Sequence, residues 1–125
     1  MFTHNLASEI TQVGSRVTCN PAPTDTDDDY LAYVHSSNWI AFDASMNDNG
    51  FSVGGSRPEH ADADYLDNGF CSYTKGEINV IATANHEFVK KFMAATSVAK
   101  RLNLLNKEDR IALFQAVLYA NPCHD

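Results

Sequence analysis

The spacing of apolar residues after residue 85 constrains the fold most strongly, because it requires a helix with one buried face. Residues separated by three or four positions lie on the same side of an α-helix, and this segment repeats that spacing. The apolar stripe consists of Phe88, Phe92, Ala95, Ala99 and Leu102. The basic residues lie largely off the stripe, at Lys90, Lys91, Lys100 and Arg101. The pattern predicts an amphipathic helix that packs on the core.

A second helix is predicted close behind the first. Asn106 is a favourable N-cap, and Glu108 and Asp109 follow in the first turn, where negative charge stabilises the helix dipole. A second apolar stripe follows, formed by Ile111, Phe114, Val117 and Leu118. Asn121-Pro122 is expected to end this helix.

The part of the chain before these helices is typical of strands. Tyr30–Val34 is rich in aromatic and β-branched residues, and Phe70–Thr74 alternates in polarity. A tight turn at Lys75-Gly76 would pair the latter antiparallel with Ile78–Ile81. Thr11–Val13 is predicted to be a strand, and Leu6–Ile10 a short opening helix. The expected fold is α+β, a small mixed sheet covered on one face by both C-terminal helices.

The middle of the chain is less regular. Asn38–Phe42 fits the start of either a helix or a strand. The Gly, Asp, Asn and Ser content between Asp43 and Asn68 predicts loops, with at most a short strand near Phe51–Val53. A length of 125 residues fits one domain, residues 1–125.

Composition narrows the function classes. The formal net charge of −7 argues against non-specific attraction to a nucleic-acid backbone. The cysteines, Cys19, Cys71 and Cys123, have no Cys-x-x-Cys spacing, which favours reduced thiols and a cytoplasmic protein. No apolar run approaches the roughly 20 residues that span a bilayer, and the first residues lack the pattern of a signal peptide. A cytoplasmic protein without a membrane partner is expected.

Acidic residues precede the strand Tyr30–Val34 at alternate positions. In an extended chain Asp27 and Asp29 point to one face, which Asp25 can join, while Asp28 points away. Paired carboxylates repel each other unless a cation lies between them, and such hard oxygen ligands favour Mg²⁺ or Mn²⁺. The earlier Gly14-Ser15 turn can approach a phosphate closely. These features suggest a nucleoside triphosphate (NTP) site; the alternative is a solvated acidic turn.

A known family has the same arrangement. Gly14-Ser15, followed by Thr26–Leu31, resembles the Gly-Ser, Asp-x-Asp signature of the DNA polymerase β-like nucleotidyltransferase superfamily. The resemblance implies that the Gly-Ser turn binds the triphosphate and that Asp27 and Asp29 bind metal ions. A third carboxylate is expected from a later strand. Lys75–Thr83 resembles that strand, and Glu77 is the best candidate within it.

The third position departs from the family pattern. Asn79 occupies the more central place in the strand, and Glu77 lies two residues earlier on the same face. If Asn79 is the counterpart, one metal ligand is lost and nucleotide binds without efficient turnover. Arg16 and Lys75 flank the proposed elements and are expected to neutralise phosphate charge.

The C-terminal segment Ser97–Arg110, continuing into Phe114–Tyr119, further resembles small nucleotidyltransferases of tailed bacteriophages. The resemblance therefore covers most of the chain except residues 43–70. It implies a minimal nucleotidyltransferase fold and a metal-dependent enzyme that transfers a nucleoside monophosphate from an NTP and releases pyrophosphate. The catalytic and metal residues would be Asp27, Asp29 and Glu77, with Mg²⁺ or Mn²⁺ as cofactor. The acceptor, whether RNA, DNA, protein or a small molecule, stays open. A phage protein would act in the host cytoplasm.

Two other functions fit the same resemblance. One is a catalytically weakened module that binds a nucleotide or a host protein, and the other is a toxin or antitoxin-type minimal nucleotidyltransferase with a partner protein.

Two further motifs could bind a metal or a phosphate but are more typical of surface loops. His60, Asp62 and Asp64 alternate metal-capable side chains but fit a solvated loop better, and Gly54–Arg57 fits a flexible loop better than a second phosphate-contacting turn.

Overall fold

Strands and helices follow the polarity patterns of the chain and form a mixed α+β fold. The computed structural model describes residues 1–23, 27–54 and 70–119. The strands are β1 (Glu9–Val13), β2 (Asp28–Tyr33), β3 (Ser52–Gly54), β4 (Cys71–Lys75) and β5 (Ile78–Thr83). The helices in these ranges are α1 (Ser15–Thr18), α2 (Trp39–Asp48, preceded by a 3₁₀ turn at Ser36–Asn38), α3 (His86–Leu102) and α4 (Lys107–Tyr119).

The strands form a five-stranded sheet in the order β1-β2-β5-β4-β3. β2 and β5 are parallel, and the other neighbouring pairs are antiparallel. β1 therefore ends where β2 and β5 begin, at Val13, Asp28 and Ile78. We call this the acidic end of the sheet. The register places Asp29 between Val13 on β1 and Asn79 on β5.

Helices cover both faces of the sheet. On one face, α2 buries Trp39, Phe42 and Met46 against the sheet. On the other face, Phe88 and Phe92 of α3 pack on strand residues, and α4 adds partly buried side chains to the same cluster. The alternation of β2 sends successive side chains to opposite cores, so one face holds Tyr30 and Ala32 while the other holds Leu31. The predicted placement of both C-terminal helices on one face is confirmed, whereas α2 on the opposite face was not predicted.

The predicted opening helix over Leu6–Ile10 is wrong, because Glu9 already begins β1. The Ser8 N–H donates to the carbonyl of Tyr33 at 2.8 Å, and Ile10 pairs with Ala32 on β2. Pairing with a buried neighbouring strand outweighs the helix preference of a short segment. The predicted strand at Thr11–Val13 is confirmed as the second part of β1.

The loop prediction after Asp43 is also partly wrong, since α2 continues to Asp48. Ser45 and Asn47 are more typical of loops than of helices, and the prediction of a loop followed from residues of this kind. The short strand near Phe51–Val53 is confirmed as β3. The antiparallel β4–β5 hairpin is also confirmed, but its turn lies at Gly76-Glu77 rather than Lys75-Gly76, because Lys75 still pairs with Ile78.

Both predicted C-terminal helices are confirmed, but the buried stripe of each is shorter than predicted. The Asn106 side chain accepts the N–H of Glu108 at 2.8 Å, as an N-cap does. The first stripe ends earlier than predicted, because Leu102 is 61% exposed, and the second begins later, because Ile111 is 50% exposed. The predicted stop at Asn121-Pro122 lies outside the described residues. None of the helices in the described ranges is long and apolar enough to cross a membrane.

Candidate functional site

The Gly14-Ser15 turn touches the carboxylate of Asp29. Gly14 has φ 81° and ψ −169°, a conformation that is essentially restricted to glycine. A Cβ built on Gly14 would overlap the side chain of Asp29. Val13 pairs with Asp29 across the sheet, so the register brings the next residue against the same side chain. Glycine is thus required here both by conformation and by space.

We expect Gly14→Ala to lower the free energy of unfolding by at least about 2 kcal/mol, because backbone strain adds to overpacking against Asp29. Gly76→Ala is a matched control: Gly76 also has a positive φ, of 59°, but an added Cβ there meets no atom within 4 Å. The control should lose about 1 kcal/mol from strain alone. Urea denaturation of both variants measures the difference. Equal losses would contradict the close approach of Gly14 to Asp29.

The neighbouring acids divide between the two faces of the sheet, as predicted. Asp28 points away from the Gly-Ser turn and accepts hydrogen bonds from the Tyr30 hydroxyl at 2.7 Å and the Gln12 amide at 2.9 Å. The Tyr30 hydrogen bond holds the pKa of Asp28 below its usual value. Asp28 is a structural carboxylate, while Asp27 and Asp29 line a cleft on the α3 side of the sheet.

Asp29 is the more constrained of the two cleft carboxylates. Burial raises the pKa of Asp29, and the nearby charges of Asp27 and Asp28 act in the same direction. The Asn79 amide opposes this shift by donating to Asp29 Oδ1 at 3.2 Å. A cation placed beside Asp29 would favour its ionised form. The carboxylate is therefore in a position where cation binding relieves an unfavourable charge.

The cleft has a volume of about 650 Å³ and combines acidic, basic and apolar walls. The acidic end of the sheet supplies Gly14, Ser15, Asp27 and Asp29. The remaining lining residues are Pro23, Phe92, Leu105, Lys107, Arg110, Ile111 and Phe114, most of them from α4 and the segment before it. Pockets of this size hold small ligands, and this one presents both charge signs to its contents.

Three of the predicted site residues do not line this cleft. Arg16 lies 3.7 Å from both Asp28 and Glu77 in ion pairs, and the Glu77 side chain is 83% exposed. Lys75 donates to the carbonyl of Asn49 at 2.8 Å and lines a different cleft, on the α2 side. The structure thus brings together Gly14, Ser15, Asp27 and Asp29, and leaves Arg16, Lys75 and Glu77 outside that group.

Several predicted residues lie outside the described ranges. Asp25, a candidate third member of the acidic face, is one of them. The motifs His60, Asp62 and Asp64 and residues 55–57 of the Gly-rich turn are others.

The donor set of the cleft suits a magnesium ion that also contacts a ligand. No group of three or more His, Cys, Asp or Glu side chains in the described ranges is arranged to hold a metal by itself. Mg²⁺ is commonly bound by one or two carboxylates together with substrate phosphates and water. Asp27 and Asp29 can supply the two protein carboxylates of such a site, and the remaining ligands would have to come from water or from a bound molecule.

The basic wall of the cleft was not predicted. No role was predicted for Lys107 and Arg110, yet both line the cleft with Ile111 and Phe114. The signal was present in the sequence, because positions 107, 110, 111 and 114 follow helical spacing and share one face. The cationic residues therefore belong to the same face as the apolar stripe.

Comparisons with known proteins give no assignment of the site. No protein-family model, curated protein or solved structure matches the chain.

Proposed function

We propose that this protein is a metal-dependent nucleotidyltransferase with a minimal nucleotidyltransferase fold, which moves a nucleoside monophosphate from an NTP to an acceptor. The observation that carries the proposal is the contact of the Gly14 turn with Asp29. This contact places a turn that can bind phosphate beside two carboxylates that can bind a divalent ion, and all of these residues line one cleft.

The chain's own residues have separate roles in this proposal. Asp27 and Asp29 hold Mg²⁺ or Mn²⁺, and the backbone N–H groups and hydroxyl of Gly14-Ser15 hold the terminal phosphates. When bound, the metal supplies neutralisation of phosphate charge and polarisation of the reacting phosphate. The apolar part of the wall, including Phe92 and Phe114, offers a surface for the nucleobase.

The reaction is an in-line displacement at the α-phosphorus. An acceptor hydroxyl oxygen forms a bond to that phosphorus while the bond to the bridging oxygen of the β-phosphate breaks. Pyrophosphate leaves with the electron pair, and the hydroxyl proton passes to water. Positioning of the reactants and electrostatic stabilisation of the transition state supply most of the acceleration in such reactions. The Gly14-Ser15 turn, held against the Asp29 carboxylate, can contribute to both.

The third carboxylate in this proposal is Glu77, and its position is compatible with that role. The Asp28 N–H donates to the Glu77 carbonyl at 2.8 Å, so Glu77 lies at the acidic end of the sheet immediately before β5. Its ion pair with Arg16, at 3.7 Å and largely exposed, is of a kind that contributes little energy. Rotation of the exposed side chain toward the cleft therefore costs little.

One observation favours a second function, binding of nucleotide without efficient transfer. Asn79 pairs with Asp29 in the register and donates to its carboxylate, so it occupies the place beside the metal residues. An amide there supplies no negative charge for a second ion. The second candidate is accordingly a nucleotide-binding regulatory module, whose partner would be a protein.

Transfer of label from an α-³²P-labelled NTP to components of a cell extract tests the proposal. We expect metal-dependent labelling with at least one of the common NTPs, and its loss on addition of a chelator. Thermal melts with the same NTP and metal are measured in parallel. Stabilisation without labelling would support the nucleotide-binding module, whereas neither stabilisation nor labelling would reject both functions.

A further inference from the structure

The cleft takes its opposite charges from different parts of the fold. Its carboxylates, Asp27 and Asp29, come from β2 and the residue before it, and its cations, Lys107 and Arg110, come from α4. The two cations are separated by nearly one helical turn and project on the same side of α4. A ligand that fills this cleft therefore meets acids at one wall and bases at another.

Arg110 is fixed in place by the segment that follows the Gly-Ser turn. Its Nη1 donates to the Leu104 carbonyl at 2.8 Å and to the Cys19 sulfur at 3.1 Å. Among the described residues these contacts involve Nη1, so Nε and Nη2 of the guanidinium can donate to a ligand. Cys19 directly follows α1, which itself follows Gly14, so Arg110 is tied to the chain segment that carries the turn.

A second link holds the same two segments together. The Asn20 N–H donates to the Asn103 side chain at 2.9 Å, and the Asn103 amide donates back to the Asn20 carbonyl at 3.1 Å. The connection between α3 and α4 is thereby bound to the end of α1. The position of Arg110 relative to the Gly-Ser turn is thus set before any ligand enters.

The cations predicted from sequence for phosphate contact have other partners. Arg16 pairs with Asp28 and Glu77, and Lys75 donates to Asn49 while facing the ring of Phe51 at 5.7 Å. Neither residue lines the cleft on the α3 side. Lys107 and Arg110 are the Lys and Arg side chains that do so in the described part of the chain.

We infer that Lys107 and Arg110 are the residues that recognise the polyphosphate tail of the ligand, opposite the carboxylates that hold its metal ion. This inference rests on the proposed function and names how the same site selects a triphosphate. A magnesium–triphosphate complex carries positive charge at the ion and negative charge on the outer phosphate oxygens. It matches a cleft with two carboxylates at the acidic end of the sheet and two cations on α4.

Binding of inorganic tripolyphosphate with Mg²⁺ tests the inference, because this probe contains neither a base nor a transferable nucleotide. Isothermal titration calorimetry should show binding to the native protein that weakens as salt is added. Lys107→Gln and Arg110→Lys should each weaken it by about tenfold, the loss expected for one charge-assisted contact. Lys107→Gln changes an exposed side chain, and Arg110→Lys keeps a donor for Leu104, so thermal melts of both should show a folded protein.

Lys100→Gln is the matched control, since Lys100 is an exposed cation near the end of α3 that does not line the cleft. Its affinity for tripolyphosphate should equal that of the native protein. The inference is overturned if the native protein does not bind the probe at millimolar concentration, or if Lys107→Gln binds it as tightly as the control does. If tripolyphosphate binding depends on Lys107 but the protein shows no transfer activity, the nucleotidyltransferase function is rejected and the role of Lys107 in polyphosphate binding is supported.

Discussion

Replacement of Asp29 by Asn is expected to abolish the thermal stabilisation that Mg²⁺ and NTP confer and to reduce nucleotidyl transfer by roughly a hundredfold or more. A metal ion contributes several kcal/mol to phosphoryl chemistry, and each 1.4 kcal/mol corresponds to about tenfold in rate. Asp29 is the carboxylate in contact with the Gly-Ser turn, so in the proposed function its charge acts between the metal ion and the phosphates. Melts with ligands and α-labelled NTP transfer measure the two effects.

The same substitution should leave the unliganded protein as stable as the native one, or more stable. Asp29 is partly buried beside the charges of Asp27 and Asp28, and this environment raises its pKa. Asn has nearly the same shape and keeps an oxygen that can accept from Asn79. A melt without ligands provides the measurement. A large loss of stability would instead identify Asp29 as a structural residue.

Asp28→Asn is the matched control, because it makes the same chemical change at the adjacent residue on the opposite face. The unliganded protein should lose about 1 kcal/mol, since the hydrogen bonds from Tyr30 and Gln12 lose a charged acceptor. The stabilisation by Mg²⁺ and NTP should persist. Loss of that stabilisation in Asp28→Asn would show that the effect of Asp29→Asn is not specific to the cleft.

The elements that were predicted correctly are those whose structure is determined by residues close together in the sequence. The spacing of Phe88, Phe92 and Ala95 determines α3, and the alternation of Asp27, Asp28 and Asp29 separates the acids onto two faces. Side-chain period and turn chemistry both act over a few residues. Such features can therefore be read without knowing what the segment packs against.

The features that were missed depend on contacts distant in sequence. Ile10 is in a strand because it pairs with Ala32, and Arg110 belongs to the cleft because Cys19 and Leu104 hold it there. Lys75 likewise lies on the α2 side of the sheet because its ammonium group donates a hydrogen bond to the Asn49 carbonyl. A single sequence gives the type of each residue but not these partners. The helical spacing of Lys107 and Arg110 therefore indicates that they share one face of α4, but not that this face lines the same cleft as Asp27 and Asp29.

Glu77→Gln is expected to reduce transfer by roughly a hundredfold while NTP binding changes little. The carboxylate acts in the proposed reaction on the acceptor side, where a metal ion matters most in the transition state. Ground-state binding depends instead on Gly14-Ser15, on Asp27 and Asp29, and on the cations of α4. Transfer rates at saturating NTP and the dissociation constant of the NTP separate the two effects. A lower rate with unchanged affinity is the expected pattern.

Asn79→Asp distinguishes the enzyme from the nucleotide-binding module. If Glu77 is the third ligand, a carboxylate at position 79 should change transfer little or impair it, because it adds a third negative charge beside Asp29 and Asp27. Asn79 already contacts Asp29, so the new carboxylate would lie directly against the metal residues. If Asn79→Asp creates or raises transfer while Glu77→Gln has no effect, the native protein binds nucleotide at a site that lacks one catalytic carboxylate. The two substitutions therefore decide between the proposed functions by opposite changes in one measured rate.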